Sequence, residues 1–528
     1  MVDVLVVGGG GAGMAAALSA KEAGASVAVL GKSYPTRSQT CMAQGGINAA
    51  LGHAGDDSVE MHIADTLKSA QGLADEAAVA ALCSEGIDAL QWLDAIGVPF
   101  SRNDDAQIAQ RRLGGASAPR ACYAQDYSGL KILHTLYDQC NRAGIPFYNE
   151  RFLLDIIVEG DRACGVKVLD IRSGAVEVYM AGAVILATGG YSKLYGRHST
   201  NAAGSSGDGH AAALRAGARL SDMEFVQFHP TGLAGSSILI SESARGAGGY
   251  LLNGKGERFI DECLPRDRVA RAIHDQIMAG ERVTLDIRHL GEAFIDGELP
   301  QERKLAQRYE GVDPVYEPIP IKPVAHYTMG GIEVGADSQT AVTGLFAAGE
   351  CANHRVHGAN RLGGNSLLEL IVFGRQAGAN AAAVAKSGSA EAQPATAEAP
   401  ELEACFNDAP EVDFYARRDT LATLFYEQVG LVRDAERLRS ALDAVKAMQT
   451  ELPKMGVVDR NGAYNTNRTD FLEFVNLLTV AEAVAEGALR REESRGAHYR
   501  SDFPEADAAL AVHSLSCIKE EGLCFDFQ

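Results

Sequence analysis

The N-terminal segment alternates between apolar, glycine-rich and helical patterns. Residues 4–7 (VLVV) form an apolar run typical of a buried strand, and residues 14–23 form an alanine-rich run with helical character. Gly24 and a second apolar run over residues 26–30 follow. This order predicts one strand–helix–strand unit with two parallel strands.

The pattern of an apolar strand running into glycine returns twice. Residues 184–187 (VILA) precede Thr188 and Gly189, and residues 344–350 read GLFAAGE. We expect both runs to be parallel strands that end at a cofactor. Residues 223–324 have mixed character and end in a connector with prolines at 314, 318, 320 and 323, so we interpret this stretch as an inserted domain.

The C-terminal part of the chain is predicted to be helical. Residues 387–400 (SGSAEAQPATAEAP) are of low complexity and predict a linker or surface loop. Beyond them, apolar residues recur at helical spacing, and a core-facing stripe is favoured over a cofactor role. These residues are Leu438, Leu442, Val445, Phe471, Leu472, Val475, Leu478 and Ala481.

Length and composition indicate a globular protein of two or more domains, because the chain has 528 residues, 46% of them hydrophobic and 22% charged. No apolar run reaches the roughly 18 residues that cross a bilayer. Met1 leads directly into the first strand without a basic leader, so we expect a cytoplasmic chain that is not itself a membrane protein.

The formal net charge of −21 argues against a nucleic-acid partner. An anionic substrate would need Arg and His side chains clustered locally against this field. The ten cysteines show neither a CxxC pair nor a Cys/His cluster at ligand spacing. We therefore expect no zinc or iron–sulfur ligation within this chain, and free thiols in a reducing compartment.

Gly8, Gly10 and Gly13 form a GxGxxG motif between the first strand and the first helix. In that setting, backbone amides and the helix N-terminus can bind a pyrophosphate. A glycine-rich turn without a ligand is the alternative, and the strand–turn–helix placement favours dinucleotide binding. Gly31 and Lys32 stand where an acidic residue would bind the ribose of NAD, so the motif does not indicate simple NAD recognition.

A series of motifs resembles the flavoprotein subunits of the fumarate reductase and succinate dehydrogenase family. Residues 35–47 (PTRSQTCMAQGGI) resemble the flavin-approach segment of that family, which also lacks the acidic residue; L-aspartate oxidase shares the glycine part. The other motifs follow in order along nearly the whole chain. They are ATGG at 187–190, GDG at 207–209, QFHPT at 227–231, PRD at 265–267, HYTMGG at 326–331, HGANRL at 357–362 and ESRGAHYR at 493–500.

The resemblance implies an α/β fold. It consists of an FAD-binding Rossmann-type domain with an inserted α+β capping domain and a C-terminal helical domain. We place the FAD-binding domain at residues 1–222 and 325–386, the capping domain at 223–324, a linker at 387–408, the helical domain at 409–500 and a tail at 501–528.

The resemblance also implies residues that contact FAD. Glu350 is expected to hold a ribose or ribityl group, and Ser366 and Leu367 to place backbone amides near the flavin pyrimidine edge. An exposed loop acid and a simple helix cap are the alternatives. The full expected set is Gly8, Gly10, Gly11, Ala12, Gly13, Lys32, Ser38, Gln39, Thr40, Gln44, Gly45, Gly46, Ala187, Thr188, Gly189, Asp208, Glu350, Arg361, Ser366 and Leu367.

Gln39 departs from the family pattern. Many membrane-bound members attach FAD covalently through a histidine at this place, and glutamine has no ring nitrogen to form that bond. We expect non-covalent FAD with a lower potential than in the covalent relatives. A lower potential favours reduction of fumarate over oxidation of succinate.

Adding a hydride and a proton to an alkene between two carboxylates requires carboxylate clamps and an acid. The resemblance implies that Arg361, His229 and His326 hold the carboxylates of fumarate. Ser241 stands where many relatives have threonine and keeps a hydroxyl for the same task. Purely structural histidines are the alternative.

The same resemblance implies that Arg266 is the proton donor. Because an arginine is a poor acid in isolation, it needs a relay, and Glu242 and Arg245 match that relay. A surface ion pair of Arg266 with Asp267, and an ordinary helical ion pair between Glu242 and Arg245, are the alternatives.

The resemblance leaves other functions open: the succinate dehydrogenase direction, L-aspartate oxidase, and a non-catalytic electron-carrying subunit. Residues 311–320 and 328–331 follow the fumarate reductase pattern, and the Arg111–Gly115 segment resembles its Phe-Gly-Gly loop with Leu113 in place of Phe. Expected partners are a dicarboxylate, an iron–sulfur subunit and a further quinone-linked or other electron-donor subunit, with a free flavin or nicotinamide donor as the alternative. Membrane association is expected only through partners.

Overall fold

In the computed structural model, residues 1–387, 398–520 and 522–528 are described, and the strands and helices of these residues have the following bounds. The strands are β1 (Val2–Val7), β2 (Val27–Gly31), β3 (Ile47–Asn48), β4 (Gln110–Arg111), β5 (Ala121–Cys122), β6 (Phe147–Asn149), β7 (Arg151–Glu159), β8 (Arg162–Asp170), β9 (Val176–Leu186), β10 (Leu220–Ser221), β11 (Val226–Leu233), β12 (Tyr250–Leu252), β13 (Thr284–Asp286), β14 (Ile319–Thr328), β15 (Gly331–Glu333), β16 (Leu345–Ala347), β17 (Ala352–Asn353), β18 (Ser514–Lys519) and β19 (Gly522–Phe527). The helices are α1 (Gly11–Glu22), α2 (Val59–Ser69), α3 (Glu76–Ser84), α4 (Gly86–Ala95), α5 (Ser128–Arg142), α6 (Asp208–Arg215), α7 (Glu242–Gly246), α8 (Arg266–Met278), α9 (Glu292–Glu298), α10 (Pro300–Glu310), α11 (Asn365–Ser387), α12 (Pro400–Ala404), α13 (Phe414–Gln428), α14 (Ala435–Glu451) and α15 (Thr466–Arg490).

The predicted strand–helix–strand unit is confirmed as the start of the main sheet. This sheet has the order β6-β2-β1-β9-β8-β7, with β16 paired to β9. β1 is parallel to both β2 and β9, and β16 is parallel to β9, so the two later strands predicted from the sequence are also confirmed. Val7 and Ala347 both pair with Leu186, so the glycine segments after these strands meet at one edge.

Close backbone packing between α1 and α11 covers one face of this sheet. A Cβ atom on Gly374 would lie 2.8 Å from the Ala12 carbonyl oxygen, and one on Gly378 would lie 2.1 Å from that of Ala16. Glycine on one helix and alanine on the other therefore let the two backbones touch. This contact fixes α1, and with it the glycine turn, against the sheet.

A second, antiparallel sheet has the order β11-β14-β13-β12, and we call it the cap sheet. It has a hydrophobic core of its own with helices α7 to α10 around it, including Leu233, Leu251, Val269 and Leu285. The separate core agrees with an inserted unit between β9 and β16, as the mixed sequence character of this stretch suggested.

The prediction of a proline-rich connector is wrong for its second half. Pro320 and Pro323 lie inside β14, and the predicted boundary between residues 324 and 325 also falls inside this strand. A proline lacks the N–H group but keeps the carbonyl acceptor. The Pro320 carbonyl accepts the Ala234 N–H at 3.1 Å, and the N–H of Ile321 donates to Val283 at 3.1 Å, so the strand stays paired. The other predicted domain boundaries stay predictions.

The C-terminal helices are confirmed, with α14 and α15 carrying the predicted stripe. Leu438, Leu478 and Ala481 are fully buried, whereas Leu472 and Val475 are half-buried. Residues 388–397, the centre of the predicted linker, lie outside the described residues. The predicted tail contains regular structure, because β18 and β19 form a hairpin whose first strand pairs with β10. None of the helices in the described ranges is both long and apolar enough to cross a bilayer.

Buried ion pairs tie the C-terminal part to the segment before β11. The Arg491 Nε atom lies 2.7 Å from Glu224, and its Nη1 atom lies 3.1 Å from Glu493, with all three side chains fully buried. The Glu493 carboxylate also binds Arg495 at 2.8 Å. These charges satisfy one another, so the loss of one partner leaves an uncompensated buried charge.

We expect Arg491→Ala to destabilise the folded protein by about 3–5 kcal/mol, because it leaves Glu224 buried without its cation. The neighbouring Arg490→Ala is the matched control, since Arg490 is half exposed and pairs with Glu486 on the helix surface. Thermal unfolding of both variants measures the difference. Equal melting temperatures for the two variants would contradict this assignment.

Candidate active site

One large cleft opens at the edge where β1, β9 and β16 end, and it extends beneath the cap sheet. It encloses about 1690 Å³, including the space at its open mouth. Nearly all of the predicted site residues line the cleft: Gly8, Gly10, Gly11, Ala12, Lys32, Ser38, Gln39, Thr40, Gln44, Gly45, Gly46, Ala187, Thr188, Gly189, Asp208, His229, Ser241, Glu242, Arg266, His326, Glu350, Arg361, Ser366 and Leu367.

Two predicted site residues lie behind the lining. Gly13 packs against the turn, where an added Cβ would lie 1.9 Å from the Gly8 carbonyl oxygen. Its role is therefore helix–strand packing. Arg245 is buried and reaches the cleft only through its contact with Glu242.

The donors and acceptors along the cleft fit a dinucleotide. Helix α1 begins after Gly10, which provides no side-chain cap. The Gly11 N–H donates to Thr40 Oγ1 at 3.1 Å, and the later amides of the first turn are left for a ligand. Among the described residues, Ser38 Oγ, Gln44 Oε1 and Thr188 Oγ1 are buried without a hydrogen-bond partner. Buried polar atoms of this kind require a partner, and a polar cofactor would supply one.

Lys32 and Asp208 form an ion pair at the rim of the cleft. The Lys32 Nζ atom lies 2.6 Å from Asp208 and 2.7 Å from Glu473 of α15. Burial alone would lower the pKa of Lys32, but the two carboxylates outweigh it and raise the pKa above its ordinary value. Glu473 was missed from the sequence, because it lies on a helix read only for its apolar stripe.

The predicted flavin contacts Gln39 and Glu350 are both held by backbone amides. Gln39 Oε1 accepts the Ala202 N–H at 2.7 Å, and Glu350 Oε1 accepts the Thr328 N–H at 3.0 Å. Burial raises the pKa of Glu350 to about 7. Glu350 is therefore a lining acid and not an exposed one.

At the other end of the cleft, Glu242 binds Arg266. The Arg266 Nη2 and Nε atoms lie 2.6 and 3.0 Å from Glu242 Oε2, and Arg245 lies 3.3 Å from Oε1. Burial would raise the pKa of Glu242, but the two arginines outweigh burial and hold it below its usual value. Asp267 pairs with Arg271 at 2.9 Å, so the alternative of an Arg266–Asp267 surface pair is wrong.

Two glycines allow this carboxylate to be enclosed. A Cβ atom on Gly114 would lie 2.4 Å from Glu242 Oε1, and one on Gly363 would lie 2.7 Å from Oε2. Both glycines belong to segments outside the cap sheet. The Glu242 carboxylate is therefore packed directly against the backbone on the opposite side of the cleft.

Gln227 connects the two arginines and was missed from the sequence. Its Oε1 atom accepts from Arg266 Nη1 at 3.0 Å and from Arg361 Nη2 at 3.2 Å. Its amide nitrogen donates to Asn360 and to the Arg361 carbonyl, each at 2.8 Å, which fixes the orientation of the amide. Its place in the site could have been inferred from the sequence, because Gln227 stands two residues before His229 on the same strand, so both side chains are on the same face.

The Arg361 guanidinium lies 4.3 Å from the centre of the Tyr327 ring. Within the described residues no carboxylate pairs with it, and its Nε atom has no hydrogen-bond partner. Burial, followed by repulsion from Arg266, lowers its pKa to about 10. A buried guanidinium with donors to spare is suited to bind an anion.

His229 and His326 lie on adjacent strands of the cap sheet with ring centres 4.9 Å apart. On β11 and β14, Gln227 pairs with Tyr327 and Phe228 pairs with Ala325, so His326 is the extra residue of a β-bulge. Burial, followed by repulsion from Arg266, holds the pKa of both imidazoles well below the ordinary value. The Thr231 N–H donates to His229 Nδ1 at 3.2 Å, which leaves Nε2 of the neutral ring as a donor.

Ser241 and Leu113 complete this end of the cleft. The Ser241 oxygen accepts from the N–H of Ser243 at 3.2 Å and from its hydroxyl at 2.8 Å, so the hydrogen of Ser241 is directed elsewhere. Leu113, almost fully buried, lies above Gly45 and forms an apolar wall. Together these groups can bind an anion in a site with limited access to water.

Residues 3–367 match the family model of the FAD binding domain, and residues 418–525 match that of the fumarate reductase flavoprotein C-terminal region. The chain is 39% identical to the 8-methylmenaquinol:fumarate reductase flavoprotein subunit of Wolinella succinogenes, over 98% of this chain and 89% of that protein. It is 38% identical to the succinate dehydrogenase flavoprotein subunit of Rickettsia bellii, over 98% of this chain and 93% of that protein. The structure is similar to that of an E. coli quinol fumarate reductase chain, with a TM-score of 0.95 and 36% identity, over 100% of this chain and 96% of that chain.

We expect the affinity for a dicarboxylate to be nearly constant from about pH 6 to pH 8 and to fall as the pH approaches about 10. The imidazoles are already neutral over this range, whereas Arg361 loses the proton that attracts the anion. The dissociation constant of a non-reactive dicarboxylate, followed through the flavin absorbance, measures this. A break near the ordinary histidine pKa that persists in Glu350→Gln would mean that an imidazole binds as a cation, because Glu350 also titrates at about pH 7.

Proposed function

The chain belongs to the fumarate reductase and succinate dehydrogenase flavoprotein family, whose members are FAD-dependent oxidoreductases acting on CH–CH groups, and we propose that it reduces fumarate to succinate. It would act as the flavoprotein catalytic subunit of a larger complex. Residues 223–324 would act as the capping domain over the substrate.

The excess of positive charge beneath the cap sheet carries this proposal. Arg266, Arg245 and Arg361 lie together there, and the Glu242 carboxylate is the partner of the first two. The described residues place no second carboxylate in hydrogen-bond range of these guanidinium groups. A ligand with two carboxylates would balance the remaining charge, which supports a dicarboxylate substrate.

We assign substrate binding and proton transfer to different side chains. We assign the carboxylates of the substrate to Arg361, the neutral imidazoles of His229 and His326, and the hydroxyl of Ser241. FAD, when bound along the cleft, would supply the hydride. Because Arg361 and the imidazoles are rigidly placed before the substrate arrives, little reorganisation accompanies the build-up of charge on the carboxylate.

We assign the proton to Arg266, the buried guanidinium that lines the cleft and is bonded twice to one oxygen of Glu242. A guanidinium gives up a proton reluctantly, so transfer must be concerted with the hydride and followed by resupply. Glu242 lies 2.6 Å from the donor, and Arg245 contacts its other oxygen. These contacts support a relay through Glu242, with Arg245 as the group that holds the carboxylate charged.

The preferred direction and the electron donor are also proposals. Relatives named for both directions match this chain at similar identity. Gln39 favours fumarate reduction, because non-covalent FAD has the lower potential. The relatives are subunits by name, and the cysteine spacing offers no cluster ligands, so we propose an iron–sulfur partner as the source of electrons, with a quinone-linked or other donor subunit beyond it.

We expect FAD to be released when the protein is precipitated with acid, because the Gln39 amide cannot form the bond that a histidine forms. The pellet should be colourless and the supernatant should fluoresce as free flavin. A pellet that stays yellow after washing would contradict non-covalent binding. A variant Gln39→His provides the matched comparison at the same position.

We expect the chemically reduced protein to be reoxidised by fumarate in the absence of oxygen, and Arg266→Lys to lose this reaction. Lysine keeps the positive charge but moves the donor by about an ångström or more, which general-acid catalysis tolerates poorly. We expect turnover to fall by at least about 10²-fold. Binding of a non-reactive dicarboxylate should persist, because Arg361 and the histidines remain.

Two outcomes of this assay would contradict the proposal. Near-normal turnover in Arg266→Lys with a fast artificial donor would place the acid elsewhere. Reduction of the wild-type flavin by L-aspartate, without reoxidation by fumarate, would indicate an L-aspartate oxidase. Arg271→Lys is the control, since that arginine lies on the same helix, pairs with Asp267 and does not line the cleft.

A further inference from the structure

Two carboxyl groups are buried together where α10 meets the segment before α5. Asp126 and Glu302 are both 0% exposed. Asp126 precedes α5 in the main part of the molecule, whereas Glu302 lies in the first turn of α10 beside the cap sheet. The pair therefore spans the junction between the two sheets, and neither side chain lines the cleft.

Each carboxyl group uses one oxygen to hold backbone. Asp126 Oδ2 accepts the N–H groups of Gln301 at 2.6 Å and Glu302 at 3.3 Å, which caps the N-terminus of α10 across the junction. Glu302 Oε1 accepts the N–H of Ser241 at 3.2 Å. Ser241 is the N-cap of α7, the helix that carries Glu242 and Arg245, so Glu302 holds the start of the relay helix.

Among the described residues, the remaining oxygens of the two carboxyl groups have no hydrogen-bonded cation, and Arg111 is the positive charge near them. Asp126 Oδ1 and Glu302 Oε2 are buried without a hydrogen-bond partner in the part of the chain that the structure describes. The cation on this side is Arg111 of β4, which donates to the carbonyls of Gln44, Gly45 and Gln125. Two close carboxylates that lack a paired cation cannot both be ionised at low cost.

The other charged groups of the surrounding elements are directed elsewhere. Glu298 of α9 and Tyr123 after β5 lie near Arg111. Arg303, the next residue of α10, binds Asp313, Glu292 and Asp296. On α7, Glu242 and Arg245 bind each other and Arg266. Burial, followed by repulsion from Asp126, raises the pKa of Glu302 well above its usual value, and burial raises that of Asp126.

We propose that Glu302 is a positioning residue for the proton relay: in its neutral form it holds Ser241 and the start of α7 in place, and its ionisation releases them. The inference rests on the proposed function, because the relay of Glu242 and Arg266 belongs to that proposal. A neutral carboxyl group keeps a carbonyl oxygen for the Ser241 N–H and adds no charge beside Asp126. An ionised one repels Asp126, which caps the helix on which Glu302 itself lies.

The variant Glu302→Gln tests this directly, because its amide has the same shape, keeps an acceptor oxygen and cannot ionise. Since the folded protein holds a proton that the unfolded chain has released, wild-type stability falls as the pH rises from the ordinary carboxyl pKa through the raised one. Glu302→Gln should therefore melt together with the wild type at about pH 4 and at a higher temperature at about pH 8. The measurement uses the FAD-loaded protein without substrate.

Asp126→Asn gives a second measurement that does not depend on the folding of the first variant. It keeps an oxygen for the cap of α10 and removes the like charge, so the fall in melting temperature with pH should become smaller. Glu317→Gln is the control, since Glu317 is an exposed glutamate next to the cap sheet, and it should follow the wild type at every pH.

Turnover tests the positioning role. We expect kcat for fumarate in the wild type to fall on the alkaline side, and Glu302→Gln to keep its kcat there with little change in KM. Identical pH profiles and melting curves for Glu302→Gln and the wild type would overturn the proposal, as would a folded Glu302→Gln without turnover at any pH. Absence of fumarate turnover in the wild type would refute the proposed function only, and the melting curves would still decide the state of Glu302.

Discussion

The ion pair between Glu242 and Arg266 is the interaction on which the site depends. It joins a helix beside the cap sheet to a guanidinium that lines the cleft, at 2.6 Å, and both side chains are buried. Such a pair is favourable only if nearly every remaining polar atom is satisfied. Arg245 and Gln227 meet this requirement, and Gly114 and Gly363 make room for it. The cluster has three guanidinium groups and one carboxylate, and this excess of positive charge is the basis for proposing an anionic ligand.

Much of the main sheet could be predicted from the sequence, because a buried parallel strand leaves a continuous apolar run and glycine marks its end. The C-terminal helices could also be predicted, because their apolar residues recur at helical spacing. β14 could not be predicted, since Pro320 and Pro323 resemble loop residues, and only the structure shows that the Pro320 carbonyl accepts the Ala234 N–H. The hairpin of β18 and β19 was missed because its strands are partly exposed and its first strand, β18, pairs with β10, nearly 300 residues away in the chain.

The sequence predicted which residues belong to the site, but it did not predict the hydrogen bonds and ion pairs between them. Arg361, His229 and Glu242 could be named because each lies in a distinctive motif. The roles of Gln227 and Glu302 depend on contacts with residues far away in sequence, and no local pattern encodes those contacts. From the sequence, a glutamate on a polar helix such as α10 is expected to be exposed to solvent. Helix periodicity predicts which face is buried on average, and it does not show that one charged residue of that helix is buried.

The contact of Lys32 with Glu473 joins the cofactor cleft to a helix that begins more than 430 residues later in the chain. Glu473 also binds Lys193, so one carboxylate of α15 holds two lysines of the main part of the molecule. A ligand that contacts Lys32 in the cleft would therefore be thermodynamically linked to the folding of the C-terminal helices. Its binding would protect α15 from local unfolding, and a substitution that loosens α15 would weaken its binding by the same free energy.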